Sequence, residues 1–400
     1  MPLRGFLNPS RCATVIPVRQ RCLAGIPGFD FTDLRFHRGD LVVTRIVVAG
    51  HICLDLTPEL GPGARLDPGR LIGIGPLGIK LGGCVANTGT ALADLGATLS
   101  VHSTVGDDEL GRIVADTIAR YPGLSADLHI SPQLATSYSL VLEPAGHDRT
   151  FWHHTGANSV FTGEHLDTGD ADLLHLGYPP LLPGIVADGG APLENVLRRA
   201  RDAGATTSLD LAVVDPDSDV GALDWAGILQ RTLPFVDVIS PSLDDLTSAL
   251  GGSVLGHGDI PGFDVAAMPP ARAAAEYAEL LLAWGAAVVA ISAGSEGLLL
   301  RTAGAERLSR GGRMLAPLAA EWADISLRVR PFPLERVATT NGAGDASTAG
   351  LLFALSHGVS PTVAAHVASA SAAAIISGRR PTPEVMADIL PLAAGIFAEA

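Results

Sequence analysis

The segment Thr339-Thr-Asn-Gly-Ala-Gly-Asp345 is the stretch best suited to chemistry, because its glycine turn runs directly into a helix-compatible run over 346–355. A glycine turn that opens a helix aims several free N–H groups and the positive end of the helix dipole at one point, which suits a phosphate. Asp345 stands beside that point. A carboxylate next to a phosphoryl group is electrostatically misplaced unless it has a proton to accept. The arrangement therefore reads as phosphoryl transfer, with Asp345 as base toward an attacking hydroxyl. Taken alone, the same residues also read as a turn with a capping aspartate.

Other designs are missing from the sequence. Lys80 is the only lysine in the 400 residues and is followed by Leu81, whereas a P-loop needs a lysine followed by Ser or Thr. The H-R-D and D-F-G sets of a protein kinase do not occur, and no motif surrounds Lys80 that would suit a Schiff base. Gly73-Ile-Gly-Pro-Leu-Gly78 matches a dinucleotide fingerprint, with Asp94 following at about the spacing that motif requires. Pro76 inside the turn and the lack of a strand feeding it make a proline-containing loop the better reading. Cys12, Cys22, Cys53 and Cys84 form no C-x-x-C pair and read as reduced thiols. A net charge of −15 sets the chain against nucleic acid and anionic membranes. The longest strongly apolar stretch, 280–291, is too short to span a bilayer. A soluble cytoplasmic enzyme is expected, with no nucleic-acid or membrane partner.

The elements that must position Asp345 begin at Arg45-Ile-Val-Val-Ala-Gly50, the first convincing strand. A strand-turn pattern follows over 51–81, then a helix over 83–96 with small residues on one face, a strand over 99–105 and a helix over 107–119. Ser137-Tyr-Ser-Leu-Val-Leu142 and Arg149-Thr-Phe-Trp-His153 flank a Pro-Ala-Gly turn and alternate with period two, which predicts a hairpin. Together with parts of 51–81, the segment 136–155 forms a small β-sheet lid. Short apolar strands over 173–177, 206–211, 236–240 and 287–292 are separated by helical stretches such as 193–202 and 271–284, which predicts a parallel sheet. The fold class is therefore α/β, with a central, mostly parallel sheet flanked by helices and a small β-lid. Ligands of such sheets collect beyond the carboxyl ends of the strands, so Asp210, Ser242 and Gly294 are expected at one crevice. The chain from Ala346 onward reads as helical and shows no solenoid period.

Gly82-Gly-Cys-Val-Ala-Asn87, Ser292-Ala-Gly-Ser-Glu-Gly297 and the 339–345 segment occur in this order. Together they resemble the ribokinase-like, or PfkB, family of carbohydrate and nucleoside kinases over roughly residues 45–400. The resemblance implies ATP- and Mg2+-dependent phosphorylation of a hydroxyl on a small neutral sugar or sugar-like molecule. A nucleoside kinase of the adenosine type and a non-catalytic sugar- or nucleotide-binding protein on the same fold are the alternatives. With one lysine and no arginine cluster near Asp55 or Asn87, the acceptor reads as neutral rather than phosphorylated.

Residue by residue, the resemblance implies Asp345 as base and the N–H groups of Gly342, Ala343 and Gly344 as anion hole. Asp55, in Gly50-His-Ile-Cys-Leu-Asp55, would hold substrate hydroxyls, with Gly82, Gly83 and Asn87 lining the same pocket. His153, His154 and Asn158 follow the hairpin as further candidates for substrate contact, although paired histidines at a strand end also read as surface residues. Ser242, Ser292, Gly294, Gly297, Thr340 and Asn341 would lie at the nucleotide. Asp245, in Ser242-Leu-Asp-Asp245, replaces the glutamate of the family's N-x-x-E and would reach magnesium through water. Thr339 replaces an aspartate that the family associates with a monovalent cation, which leaves potassium dependence undecided by the motif. Lid closure would exclude water from the transfer, and a homodimer would form through the lid.

Residues 1–42 carry Arg4, Arg11, Arg19 and Arg21, no acidic residue before Asp30, and no apolar core of a secretory signal. They read as an extension outside the folded unit, disordered or translated from a misassigned start, with the kinase domain over 43–400. A polypeptide beginning at Val43 is expected to keep the full activity of the chain. Complete loss of activity on that truncation would contradict this boundary.

Overall fold

The main sheet is built from short runs that are apolar without alternation, as strands covered on both faces must be. The computed structural model describes residues 45–61, 68–69, 71–143, 150–251, 268–391 and 394–397. The extension expected over 1–42 and the Pro-Ala-Gly turn lie outside these residues. The strands are β1 (Ile46–Gly50), β2 (Cys53–Pro58), β3 (Leu77–Gly82), β4 (Leu99–Gly106), β5 (Leu124–Ser131), β6 (Tyr138–Leu142) and β7 (Thr150–His154). They continue with β8 (Leu173–Gly177), β9 (Thr206–Asp210), β10 (Val238–Ile239), β11 (Val288–Ser292), β12 (Leu298–Thr302) and β13 (Ser326–Val329).

Nine of them form one sheet in the order β13-β12-β11-β10-β9-β8-β1-β4-β5, and β3-β2-β6-β7 form a second. The large sheet is parallel from β5 to β11 and ends in the antiparallel β12 and β13. β12, β13 and β5 escape a reading based on buried apolar runs. β5 alternates with period two, as an edge strand does, and β12 and β13 add an antiparallel edge that βα alternation does not foresee.

Val47, Ala49, Leu174, Leu176, Leu209, Val289 and Ile291 project from one face into a core shared with α3 (Pro183–Asp202), α4 (Trp225–Thr232), α5 (Leu243–Leu250) and α6 (Pro270–Ala283). The expected helix over 193–202 is the second part of α3, whose backbone leaves helical angles from Ala187 to Gly190. On the sheet's other side, α1 (Cys84–Asp94) packs on β1 and β4 and α2 (Glu109–Ala119) on β5. Beyond the short α7 (Ala305–Ser309) and α8 (Ala319–Trp322), α9 (Ala343–Ser356) packs between α1 and α10 (Pro361–Ile376). The almost wholly apolar α9 and α10 suit this doubly covered position. Among the described residues no helix is long and apolar enough to cross a membrane.

Gly73 and Gly75 fall in the irregular segment ahead of β3, and Gly78 within it. The fingerprint-like spacing thus precedes a strand and opens no helix, so it lacks the setting that dinucleotide binding needs.

Two glycines let the sheet's carboxyl edge meet α1. Gly50 and Gly177 are partners in the β1–β8 register. A Cβ on Gly177 would overlap Cys84 Sγ at the start of α1, and one on Gly50 would overlap the Gly177 carbonyl. Gly177→Ala is expected to destabilise the fold by about 1–3 kcal/mol through overpacking, read as a lower urea midpoint at unchanged slope. Gly73→Ala, which faces open space, is the control expected to leave the midpoint in place. Equal midpoints for the two variants would contradict the close approach.

Candidate active site

Gly342 adopts the left-handed conformation (φ 76°) that glycine tolerates, and from it the chain enters α9 with no side-chain cap. The first-turn amides of Ala343 and Gly344 thus meet no capping oxygen from a side chain, and the positive end of the helix dipole lies beside them. Gly342, not Asp345, is the N-cap. The Asp345 carboxylate instead turns to other elements: Oδ2 accepts from Asn87 Nδ2 at 3.0 Å and from Tyr178 Oη at 2.8 Å, and Oδ1 accepts from Thr88 Oγ1 at 3.2 Å.

Asp345 is 2% exposed. Burial pushes its pKa up to about 6, against the lowering effect of the bonds from Tyr178, Asn87 and Thr88. It therefore stays ionised at neutral pH and yet accepts a proton more readily than an ordinary aspartate.

Asp210, at the end of β9, and Asp245, in the first turn of α5, stand near Asp345. Burial first, then the charges of Asp345 and Asp245, raises the Asp210 carboxyl well above its usual range. Burial also raises Asp245, opposed by its bonds with Ser242. Ser242 and Asp245 cap α5 reciprocally: Ser242 N–H donates to Asp245 Oδ2 at 2.8 Å, and Asp245 N–H donates to Ser242 Oγ at 3.1 Å. Buried carboxylates that raise one another fit a neighbouring divalent cation. Among the described residues no three ligating side chains converge on one point.

The lid meets this site over the Gly82–Gly83 pair. A Cβ on Gly82 would lie 2.6 Å from the Asp55 carboxyl, and one on Gly83 would lie 2.5 Å from His51 Nδ1. The two glycines are thus the space in which Asp55 and His51 lie. Lid register places Lys80, Asp55, Ser139 and His153 in one cross-strand row, and Ile79, Leu56, Leu140 and Trp152 in the next, which projects from the opposite face. The His51 ring is 5.1 Å from that of His153 and 6.2 Å from that of Tyr178. Among the described residues neither nitrogen of His51 has a hydrogen-bond partner, nor does His153 Nε2. An unmet buried polar group costs about 1–3 kcal/mol. Burial, reinforced by His153, drops the His51 pKa to about 3, and burial also lowers that of His153.

Asn158 is fully buried, donates to the Ile52 carbonyl at 2.7 Å and accepts from Ser103 Oγ at 3.4 Å. It braces the turn into β2, and its amide faces protein groups. His154 is exposed, with its ring 5.3 Å from that of Tyr138.

On the other side of Asp345, Ser242 and Ser292 form a parallel bridge that draws the ends of β10 and β11 together. Ser292 and Gly344 line one small cavity with Ser240 and Thr348, and Thr348 Oγ1 donates to Ser240 Oγ at 2.9 Å, tying α9 to the sheet. Gly294 (φ 54°) and Gly297 (φ 85°) turn the chain between β11 and β12. Thr340 and Asn341 are exposed ahead of α9, and Thr339 Oγ1 accepts the Asn341 N–H at 3.1 Å. The structure thus gathers Asp55, Gly82, Gly83 and Asn87 on one side of the 342–345 turn, and Ser242 and Ser292 on the other.

Sequence reasoning missed His51, Tyr178 and Thr88. The strand-end rule that named Asp210 applies equally to β1 and β8, and there it names His51 and Tyr178. Tyr178 is also one of three non-glycine residues with positive φ among those described (63°), a strain often found at functional sites. Thr88 carried no such signal.

The sequence pattern of the pfkB family carbohydrate kinases matches residues 44–385. Among solved structures, a fructokinase from Xylella fastidiosa superposes with a TM-score of 0.63 at 18% identity, covering 88% of this chain and 99% of its own. A ribokinase from Thermotoga maritima gives 0.62 at 17%, covering 87% and 99%. An Arabidopsis thaliana ribokinase solved with ribose and ATP gives 0.62 at 18%, again covering 87% and 99%. At these identities the likeness shows a common fold.

The Asp345 carboxyl is expected to titrate near pH 6 when followed by carbon NMR. Because the folded value is raised, the carboxyl weakens the fold as pH rises from the unfolded value toward 6. Tyr178→Phe removes a bond that favours the ionised form, so the midpoint should move upward. A midpoint in the ordinary aspartate range, or a downward move in the variant, would contradict this geometry.

Proposed function

The chain belongs to the pfkB family of carbohydrate kinases, and from that premise we propose that it transfers the γ-phosphoryl group of ATP to a hydroxyl of a small neutral sugar or sugar-like molecule, with Asp345 as general base. The observation that carries this reading is the Asp345 carboxylate, held by Asn87, Thr88 and Tyr178 beside the uncapped start of α9.

In this reading the acceptor lies between the lid residue Asp55 and Asp345, over Gly82 and Gly83. Its hydroxyl donates to Asp345, and the γ-phosphoryl group lies against the amides of Gly342, Ala343 and Gly344. As the hydroxyl oxygen bonds to phosphorus, its proton passes to Asp345 and the bond to the ADP leaving oxygen breaks. Asn87 and Thr88 fix the rotamer of the base. The nucleotide extends from Gly344 toward Ser242, Ser292, Gly294 and Gly297, with Thr340 and Asn341 at its edge. The ribokinases solved with ATP or ADP share this fold and support ATP as donor.

Magnesium, when bound, neutralises charge on the transferring phosphates. Asp245 would reach it through water, its carboxylate already oriented by Ser242, and Asp210 faces the same region. Asp55 and Asp345 flank the acceptor region, and Asp210 and Asp245 add their carboxyls near Asp345, which favours an uncharged acceptor over a sugar phosphate. On the lid's opposite face, Ile79 and Trp152 are about half exposed, at 46% and 48%, in one row with Leu56 and Leu140. An apolar row of this kind supports pairing with a second copy of the chain.

A coupled ATP-turnover assay with neutral sugars, nucleosides and sugar phosphates tests the reading. ADP release is expected with at least one neutral sugar, with catalytic efficiency roughly a hundredfold or more above that for its phosphorylated counterpart. ADP release that no acceptor raises above the acceptor-free background would contradict phosphoryl transfer, and preference for a nucleoside would contradict the sugar.

A further inference from the structure

His51 is the feature of this site that its surroundings leave unexplained. The residue is 2% exposed, and among the described residues both of its nitrogens lack a partner, as does Nε2 of the neighbouring His153. Buried polar groups in folded proteins are nearly always paired, and an exception calls for a role. An interior that needed only an aromatic filler would be served by phenylalanine, without nitrogens to leave unmet.

Position supplies the role. His51 follows the carboxyl end of β1 and lies over Gly83, as Asp55 lies over Gly82. On one side its ring approaches Tyr178, whose hydroxyl bonds the base. On the other it meets His153, which shares a lid row with Asp55. Ser139 Oγ lies 3.0 Å from His153 Nδ1 and fixes that ring so that Nε2 points away from the strand. The His51 ring therefore lies between Tyr178, which bonds the base, and the lid row that carries Asp55.

We propose that His51 and His153 are the acceptor's specificity residues, reserving their free ring nitrogens for hydroxyl groups of the acceptor other than the one phosphorylated. The inference rests on the proposed phosphoryl transfer and narrows its substrate class to an uncharged polyol. A neutral imidazole presents one donor and one acceptor, and a hydroxyl is both. A phosphate held between the two rings would meet no cation there, since Lys80, at the other end of the lid row, stands three strands from His153.

The test uses the best acceptor from the panel and its monodeoxy analogues, each lacking one hydroxyl, on the wild type, His51→Phe and His153→Phe. The wild type is expected to reject one analogue by roughly 30-fold or more in kcat/KM, because its absent hydroxyl strands a buried nitrogen. In His51→Phe that analogue and the parent should differ by less than about threefold, with the loss on the parent falling mainly on KM. His51→Phe should also melt no lower than the wild type without acceptor, since it removes nitrogens that bond nothing there. If it does not fold, the premise that the His51 nitrogens bond nothing in the protein fails, while the His153→Phe comparison still decides hydroxyl recognition. Equal discrimination by all three proteins would overturn the histidine pair and leave phosphoryl transfer standing. A wild type that turns over no acceptor would overturn both.

Discussion

A carboxylate buried at the head of a helix stays there only while other groups hold it, and the rest of this site depends on that hold. Asp345 receives three hydrogen bonds: two from adjacent residues of α1 and one from Tyr178, the residue that follows β8. Each donor comes from an element whose place is set by glycine. Gly177 lets α1 close on the sheet, and Gly83 opens α1 with positive φ while leaving room for His51. Desolvation and hydrogen bonding act on the carboxyl in opposite senses, and burial wins by enough to leave it ionised yet basic.

The same balance orders the surroundings. Asp210 and Asp245 add negative charge that a buried site tolerates only with cations near at hand, and the uncapped turn at Gly342 offers partial positive charge without a lysine. That design suits a chain whose one lysine lies in the lid. Beside these charges lie Asp55 and His153 of the lid and His51 at the end of β1, the groups from which the proposed recognition of hydroxyls is argued.

Much of this was legible in the sequence, because glycine spacing and apolar runs are local. The strands from β8 to β11, the hairpin of the lid and the turn into α9 follow from such runs, and the three glycine motifs pointed to the family. Two things were not local. Asp345 as cap or as buried acceptor depended on which residue took the N-cap, and Gly342 did so. His51 and Tyr178 owe their roles to meeting across β1, β8 and β7, which no periodicity records. Asn158 shows the reverse: its type suited a substrate contact, yet the fold spends its amide on Ile52 and Ser103. β5 and β13 were missed because edges need not be buried on both faces, and β12 because only alternate positions of it are fully buried.

The central claim is that Asp345 takes the proton of the attacking hydroxyl. Rapid-quench measurement of γ-phosphoryl transfer to the acceptor by Asp345→Asn, with ATP affinity measured in parallel by calorimetry, tests it most directly. The account predicts transfer slowed by about 10²–10⁴-fold with ATP affinity changed by less than about threefold. Transfer at the wild-type rate by the variant would contradict it.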